Sequence, residues 1–227
     1  MIKMHKILAF LLIVFFTTAS NSHVQHYDNL NRIEFDIFRN DKFIGKHIFT
    51  FKRLEDQLLV ESEIKFQIKK FGAVLYSYYA NGTEVFKNGE FIKFNSTTKA
   101  NKKDKYVNLN LENNEYVIDG SSFKGVASTD YVLGTWWDHS IVEASAQISA
   151  VSGRIIKQKV VFVGKEKINI GDKTYNTLHF NFLSTDEKLA KGKRLNTHIW
   201  YEENTLNWIK ASFDKKGKWE YRLLSVK

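Results

Sequence analysis

The chain of 227 residues contains no cysteine and no proline. Without cysteine there is no disulfide, no thiolate metal site, no cysteine nucleophile and no lipid-modified N-terminal cysteine. Average usage would place about 11 prolines in a chain of this length. Their absence excludes rigid proline-rich linkers and leaves every strand its full set of amide donors for pairing inside a sheet. Arginine is also scarce: the 34 basic residues are 28 Lys and 6 Arg, set against 25 Asp plus Glu for a net charge of +9. Bidentate reading of bases and phosphates is arginine chemistry, so this lysine-dominated surplus does not point to nucleic acid.

Long apolar runs are limited to one. Ile7 to Phe16 reads ILAFLLIVFF, preceded by Lys3 and Lys6 and followed by Thr17, Thr18, Ala19 and Ser20. A bilayer span needs about 20 apolar residues. A short apolar run with a basic start and small residues at its exit has instead the pattern of a secretory signal. Residues 1–20 are therefore expected to be a signal peptide and 21–227 a single β domain, periplasmic or secreted, with no transmembrane segment once the signal is removed. Loss of Lys3 and Lys6 takes the net charge from +9 to +7 (9 − 2).

What is abundant is alternation. Ile33, Phe35 and Ile37 share one face of a run, as do Ile64, Phe66 and Ile68, then Leu109 and Leu111, then Leu178, Phe180 and Phe182. A period of two in Phe, Ile, Val and Tyr is the mark of half-buried strands. Turn pairs such as Asn40-Asp41, Asn81-Gly82, Asn88-Gly89, Asn113-Asn114, Gly171-Asp172 and Lys216-Gly217 punctuate the runs. The spacing predicts an all-β fold, one curved antiparallel sheet of about 10–12 strands forming a half-barrel or open barrel. Strands are expected near 32–39, 42–53, 57–70, 73–87, 91–100, 104–111, 115–119, 156–170, 174–185, 195–203, 206–214 and 218–226. Residues 121–153 break the pattern and hold either a short helix or a long crossover. The Lys99–Lys105 run reads as an exposed hairpin tip. Frequent charges at Lys46, Lys52, Lys69 and Lys99, and a C-terminus without an aromatic residue, argue against an outer-membrane barrel.

No catalytic motif is present: there is no G-x-S-x-G, no H-E-x-x-H, no glycine-rich phosphate loop and no EF-hand spacing. No cofactor, metal site or catalytic residue is assigned. Asp138-His139 sits beside Trp136-Trp137, but neighbours in sequence point apart, so loop residues beside aromatic anchors is the simpler reading. His179, His198 and Glu202 have zinc-ligand chemistry without a fixed register, and singly hydrogen-bonded histidines are the ordinary alternative. His47 is expected at the surface. The aromatic set is the stronger signal. Tyr76, Tyr78, Phe86, Trp136, Trp137, Trp200 and Trp208 are candidate ligand-binding residues, because tyrosine and tryptophan grip an apolar molecule and keep a polar tip. Strand residues of these types also serve as ordinary sheet packing.

The segment Phe35-Asp36-Ile37 to Ile44-Gly45-Lys46-His47-Ile48-Phe49-Thr50-Phe51 resembles the opening hairpin of a bacterial family of exported proteins, domain of unknown function 6134. The likeness continues through Tyr76-Ser77-Tyr78, Thr83-Glu84-Val85-Phe86, Asn88-Gly89-Glu90-Phe91 and Asn95-Ser96-Thr97-Thr98. It resumes at Trp200-Tyr201-Glu202, Trp208-Ile209-Lys210 and Gly217-Lys218-Trp219-Glu220-Tyr221. The family implies no active residue. Its fold is similar to the half-barrels of periplasmic lipoprotein carriers such as LolA and of the enzyme VioE, which implies a concave apolar face. The expectation is a binding or carrier protein for an apolar small molecule or lipid. An enzyme with a few polar groups in the same cavity and a partner of another envelope protein are the alternatives.

Overall fold

The computed structural model describes residues 27–227; the expected signal peptide, 1–20, lies outside the described residues. Eight strands form a first meander: β1 (Arg32–Arg39), β2 (Lys42–Leu54), β3 (Gln57–Lys70), β4 (Ala73–Lys87), β5 (Glu90–Ala100), β6 (Lys103–Glu112), β7 (Glu115–Gly120) and β8 (Lys124–Ser128). Seven more follow: β9 (Val132–Leu133), β10 (Ala146–Ile148), β11 (Ile155–Ile170), β12 (Lys173–Ser184), β13 (Asn196–Glu202), β14 (Trp208–Asp214) and β15 (Lys218–Val226). All join one sheet in the order β8-β7-β6-β5-β4-β3-β2-β1-β15-β14-β13-β12-β11-β10-β9. The first and last strands thus pair at its centre, and the sheet is an open half-barrel.

The count is 15 rather than 10–12, because three short strands lie inside 121–153. That segment is a crossover, with a single 3-10 turn at His139–Val142. It supplies the one parallel pairing among the described residues, Gln147 and Ile148 against Val132 and Leu133. Tight turns fall where the Asn, Asp and Gly pairs put them. Asn40 and Asp41 adopt φ of +49° and +60°, and Asn113 and Asn114 +50° and +62°, the left-handed conformations of two-residue hairpins. Asn81-Gly82 is the exception and lies within β4. Among the described residues no helix is long and apolar enough to cross a membrane.

Alternation sorts the faces as expected. Ile33, Phe35 and Ile37 of β1, Phe49 and Phe51 of β2, Tyr221 and Leu223 of β15, and Ile199 and Tyr201 of β13 are buried on the concave side. The crossover lies against this face. Trp137 and Ile141 join the main core, and Ile148 packs with Phe94, Val107, Leu109 and Ile118 in a second one. Small residues make room for it: Ser62, Gly82 and Ser96 are aligned across β3 to β5, and Gly120 of β7 follows beyond Val107 of β6. The Ser96 hydroxyl donates to the Ala150 carbonyl at 2.6 Å, and a Cβ on Gly120 would sit 2.6 Å from the Ser152 carbonyl. Buried Gln158 ties the crossover down, donating to the carbonyls of Ile141 and Ala144 and accepting from Gln147.

Candidate functional site

Trp136 and Trp137 divide the concave interior in two because adjacent residues point apart. Trp137 is fully buried, edge-on to Tyr27, Phe51 and Phe86. Its indole N–H donates to Glu84 Oε1 at 2.8 Å. Glu84 shares a face with Phe86 on β4 and is itself buried. Burial pushes its carboxyl up to about 8, against the opposing effect of hydrogen bonds from Trp137 and Thr135. Tyr27 completes this half: its hydroxyl donates to the Leu206 carbonyl and accepts from the His139 amide. Arg53 holds the segment in place with a fork onto the carbonyls of Leu30 and Tyr27, at 2.6 and 2.7 Å.

Trp136 faces the other half. Its backbone sits in the left-handed region at φ +66°, a strained conformation for a bulky residue, and Tyr201 donates to its carbonyl at 3.0 Å. Its ring lies edge-on to Trp208 at 5.5 Å and to Tyr221 at 6.0 Å. His47 is 6.0 Å from Trp208 and 5.9 Å from Tyr221. It is buried rather than at the surface, because its parity on β2 matches Phe49 and Phe51. Desolvation pulls its imidazole down to about 3, so it is neutral. The aromatic cluster continues through Phe213, stacked on Trp219, to Phe66, stacked on Tyr78 and Tyr76. Tyr76, Tyr78, Trp136, Phe213 and Trp219 are all half-buried, so this is the end of the aromatic core that reaches solvent, its mouth. Among the described residues, His47 Nδ1, Trp136 Nε1 and Trp208 Nε1 are buried with no hydrogen-bond partner.

The seven aromatic candidates therefore separate into three places. Tyr76, Tyr78, Trp136 and Trp208 meet in the mouth. Phe86 and Trp137 fill the opposite, closed half. Trp200 is on the outer face of β13, stacked on His179 with centroids 4.2 Å apart. There His179 Nδ1 lies 2.7 Å from Glu166 Oε1 and His179 Nε2 lies 2.8 Å from His198 Nδ1. The Trp200 indole also donates to Glu166 Oε1, at 2.6 Å. In the tautomer where the Nδ1–H of His179 serves Glu166, its Nε2 accepts from the Nδ1–H of His198. Burial lowers the His179 pKa first of all; Glu166 opposes this and His198 adds to it. The carboxylate in this chain is Glu166 and not Glu202, which caps the turn at Asn204 and Thr205. Among the described residues no group of three His, Cys, Asp or Glu is arranged to hold a metal ion. Asp138 accepts from the Ser140 amide at 2.9 Å as the cap of the 3-10 turn, and His139 packs on Tyr201.

The sequence puts His47 on the wrong face, and it does not mark Glu84, Glu166 or Tyr221 as site residues. Strand parity with Phe49 and Phe86 marks the first two, and nothing local marks Glu166, whose partners come from strands 13 and more residues away.

Among solved structures the chain is similar to the β-barrel-like protein of domain of unknown function DUF1849 from Brucella abortus. That likeness has 10% identity and a TM-score of 0.61, covering 86% of this chain and 96% of that one. A DUF1329 family protein from Desulfovibrio piger also aligns, at 11% identity over 90% and 89% of the two chains, with a TM-score of 0.26. The first supports the fold alone. No curated protein matches. Residues 35–224 match the profile of one protein family, and on that coverage the chain belongs to the Domain of unknown function (DUF6134) family.

Proposed function

We propose that this is an exported binding or carrier protein for an amphiphilic molecule, taken into the aromatic mouth beneath Trp136. The observation that carries the reading is the set of three buried ring nitrogens, on His47, Trp136 and Trp208, with no partner among the described residues. Buried polar atoms are nearly always hydrogen-bonded. Three of them within one apolar chamber suit a ligand with an apolar body and a polar head that accepts from the two indoles. The strained backbone of Trp136 supports this, since such strain collects where a side chain is held for binding. In the closed half, by contrast, the Trp137 indole is already bonded to Glu84.

The test is native mass spectrometry and solvent extraction of chain purified without detergent, alongside titration with a hydrophobic fluorescent dye. The expected result is a co-purifying amphiphile, or dye binding that Trp136→Ala weakens about tenfold while the circular dichroism is unchanged. A well-folded chain that is repeatedly empty and binds no dye would sink the reading.

One observation favours a second reading, an enzyme: the Glu166–His179–His198 chain on the outer face pairs a carboxylate with two imidazoles. Assay of His198→Gln against the parent chain on acyl and phosphoryl esters checks it. Equal background rates remove this alternative.

A further inference from the structure

The hairpin joining β3 to β4 runs past its neighbours. On one side the pairing of β3 with β2 begins at Phe66, opposite Gly45. On the other, the pairing of β4 with β5 begins at Tyr78, opposite Ala100. From Gln67 to Tyr76 the two strands pair only with each other, while Ser77 already exchanges hydrogen bonds with Asn101, so they stand out from the sheet as a two-stranded finger. A free hairpin is marginal in water, and this one carries apolar side chains where solubility asks for polar ones. Phe71 at its tip is 97% exposed, and Val74 and Leu75 are 51% and 58% exposed. Phe71 sits at φ +52°, in a left-handed turn position where Asn or Gly is the usual choice.

The surroundings are basic. A groove of about 760 Å³ at the base of the finger is lined by Arg39, Lys42, Lys46, Lys65, Lys69 and Lys70, against one carboxylate, Glu63. On the other flank, a concavity of about 880 Å³ holds Lys102, Lys103 and Lys105 and no carboxylate. Among the described residues only Lys46 of these lysines is ion-paired, to Asp36 at 3.0 Å. Phe43, 55% exposed, adds a second apolar side chain beside the groove.

We propose that this finger docks the protein on a bilayer rich in anionic phospholipid, with Phe71, Val74 and Leu75 in the interfacial layer and the lysines against phosphate. The layering of the finger is what selects a membrane. A strand rises about 3.3 Å per residue, which puts Lys69 and Lys70 within about 7 Å of the tip. An interfacial apolar element buries itself about 5–10 Å deep, so the cations reach the headgroups when Phe71 reaches the acyl boundary. A protein partner would need a broad complementary face, of the order of 1,200 Å² or more in total, which a lone hairpin does not offer. Docking of this kind does not depend on what occupies the aromatic mouth. The mouth lies at the root of the finger, through Phe66, Tyr76 and Tyr78, so docking would turn it towards the lipid.

The test is co-sedimentation of the full chain with vesicles of phosphatidylcholine, alone or containing phosphatidylglycerol. The parent is compared with Phe71→Ser/Leu75→Ser and with Lys69→Glu/Lys70→Glu. The apolar N-terminal run is common to all of them, so the difference between variants reports the finger. Binding is expected only with phosphatidylglycerol present, falling at high salt and weakened about tenfold or more by either double substitution. These tip residues are outside the mouth, so dye binding there is expected to be unchanged; its loss in the parent chain would count against the carrier reading and not against docking. No vesicle binding, equal binding to neutral vesicles, or binding indifferent to both variants overturns the proposal. So does a dimer in sedimentation velocity that Phe71→Ser/Leu75→Ser abolishes without any vesicle effect, since the finger would then be a contact between copies.

Discussion

Trp137 donates its indole N–H to Glu84 across the interior of the half-barrel, joining the crossover to the middle of β4 at 2.8 Å. The pair explains how a carboxyl is accommodated among Phe51, Val60 and Phe94. With its pKa raised to about 8, Glu84 is protonated at neutral pH, which avoids the cost of a buried charge while still accepting hydrogen bonds from Trp137 and Thr135. The same contact fixes the crossover, because Trp137 can reach Glu84 only with Trp136 turned towards the mouth.

The two adjacent tryptophans are therefore expected to respond differently to substitution. Trp137→Phe removes a hydrogen bond, leaves Glu84 short of a donor and opens a gap in a packed site. A loss of about 2–4 kcal/mol follows. Trp136→Phe removes an indole N–H that has no partner among the described residues, and about 1 kcal/mol or less is expected. Urea denaturation of both variants near pH 6 measures the contrast. Equal losses would mean that the interior is not divided in the way described.

Burial acts on Glu84 and His47 in opposite senses, and the signs give a flat-topped pH profile. His47 is held at about 3, below its unfolded value of 6.5, so its contribution is full above pH 6.5 and is lost as pH falls towards 3. Glu84 is held at about 8, above its unfolded value of 4.5, so its contribution is full below pH 4.5 and is lost as pH rises towards 8. Between 4.5 and 6.5 the two slopes cancel. The contribution of this pair is expected to be level there, falling on the acid side through His47 and on the alkaline side through Glu84. Thermal unfolding from pH 3 to pH 9 checks this. Glu84→Gln should remove the alkaline fall and leave the acid one; His47→Phe should leave the alkaline fall and reduce the acid one to the part carried by His179 and Glu220, which are also held below their unfolded values.

The strands were readable because their information is local. Residues such as Phe35, Phe49 and Phe180 announce their faces by alternation, and the Asn pairs announce the turns. Strands β8, β9 and β10 were not readable: the shortest has two residues, too few for any period, and they form by pairing across the crossover. The mouth was legible in part. Trp136, Trp208, Tyr76 and Tyr78 were flagged as aromatics, but the register that joins them to His47 and Tyr221 depends on closing β1 against β15, nearly the full chain length apart. Trp200 carries the same chemical signal on the opposite face, set by its parity against Ile199 and Tyr201, while Trp208 reaches the inner face because the bulge opposite Trp200 and Tyr201 shifts the register of β14.

Gly82 illustrates how a local rule is overridden. Asn81-Gly82 has the composition of a tight turn and yet continues β4, with Gly82 opposite Ser62 on one side and Ser96 on the other. A Cβ there would lie 2.7 and 2.9 Å from Cε2 and Cζ of Phe94, which is itself buried in the second core. Gly82→Ala is thus expected to destabilise by about 1–3 kcal/mol through overpacking. The double variant Gly82→Ala/Phe94→Leu should recover part of that loss in chemical denaturation. A neutral Gly82→Ala would show that the row of small residues is not what seats the Phe94 ring.

On the outer face, His179 titrates under three neighbours of known sign. Burial lowers its pKa, Glu166 raises it through charge and hydrogen bond, and His198 and Lys210 lower it by repulsion. Removing one neighbour at a time should move the midpoint in opposite directions. Glu166→Gln takes away the stabilising carboxylate, so the imidazole gives up its proton at lower pH than in the parent chain. Lys210→Met removes a cation that also lies over the Trp200 ring, and the midpoint should rise. Both are read from the Cε1–H chemical shift of His179 in an NMR titration, with His198→Gln serving to assign the two rings. A midpoint that rises in Glu166→Gln would mean that the carboxylate does not face His179 in solution, and the ordered carboxylate–imidazole–imidazole chain would have to be abandoned with it.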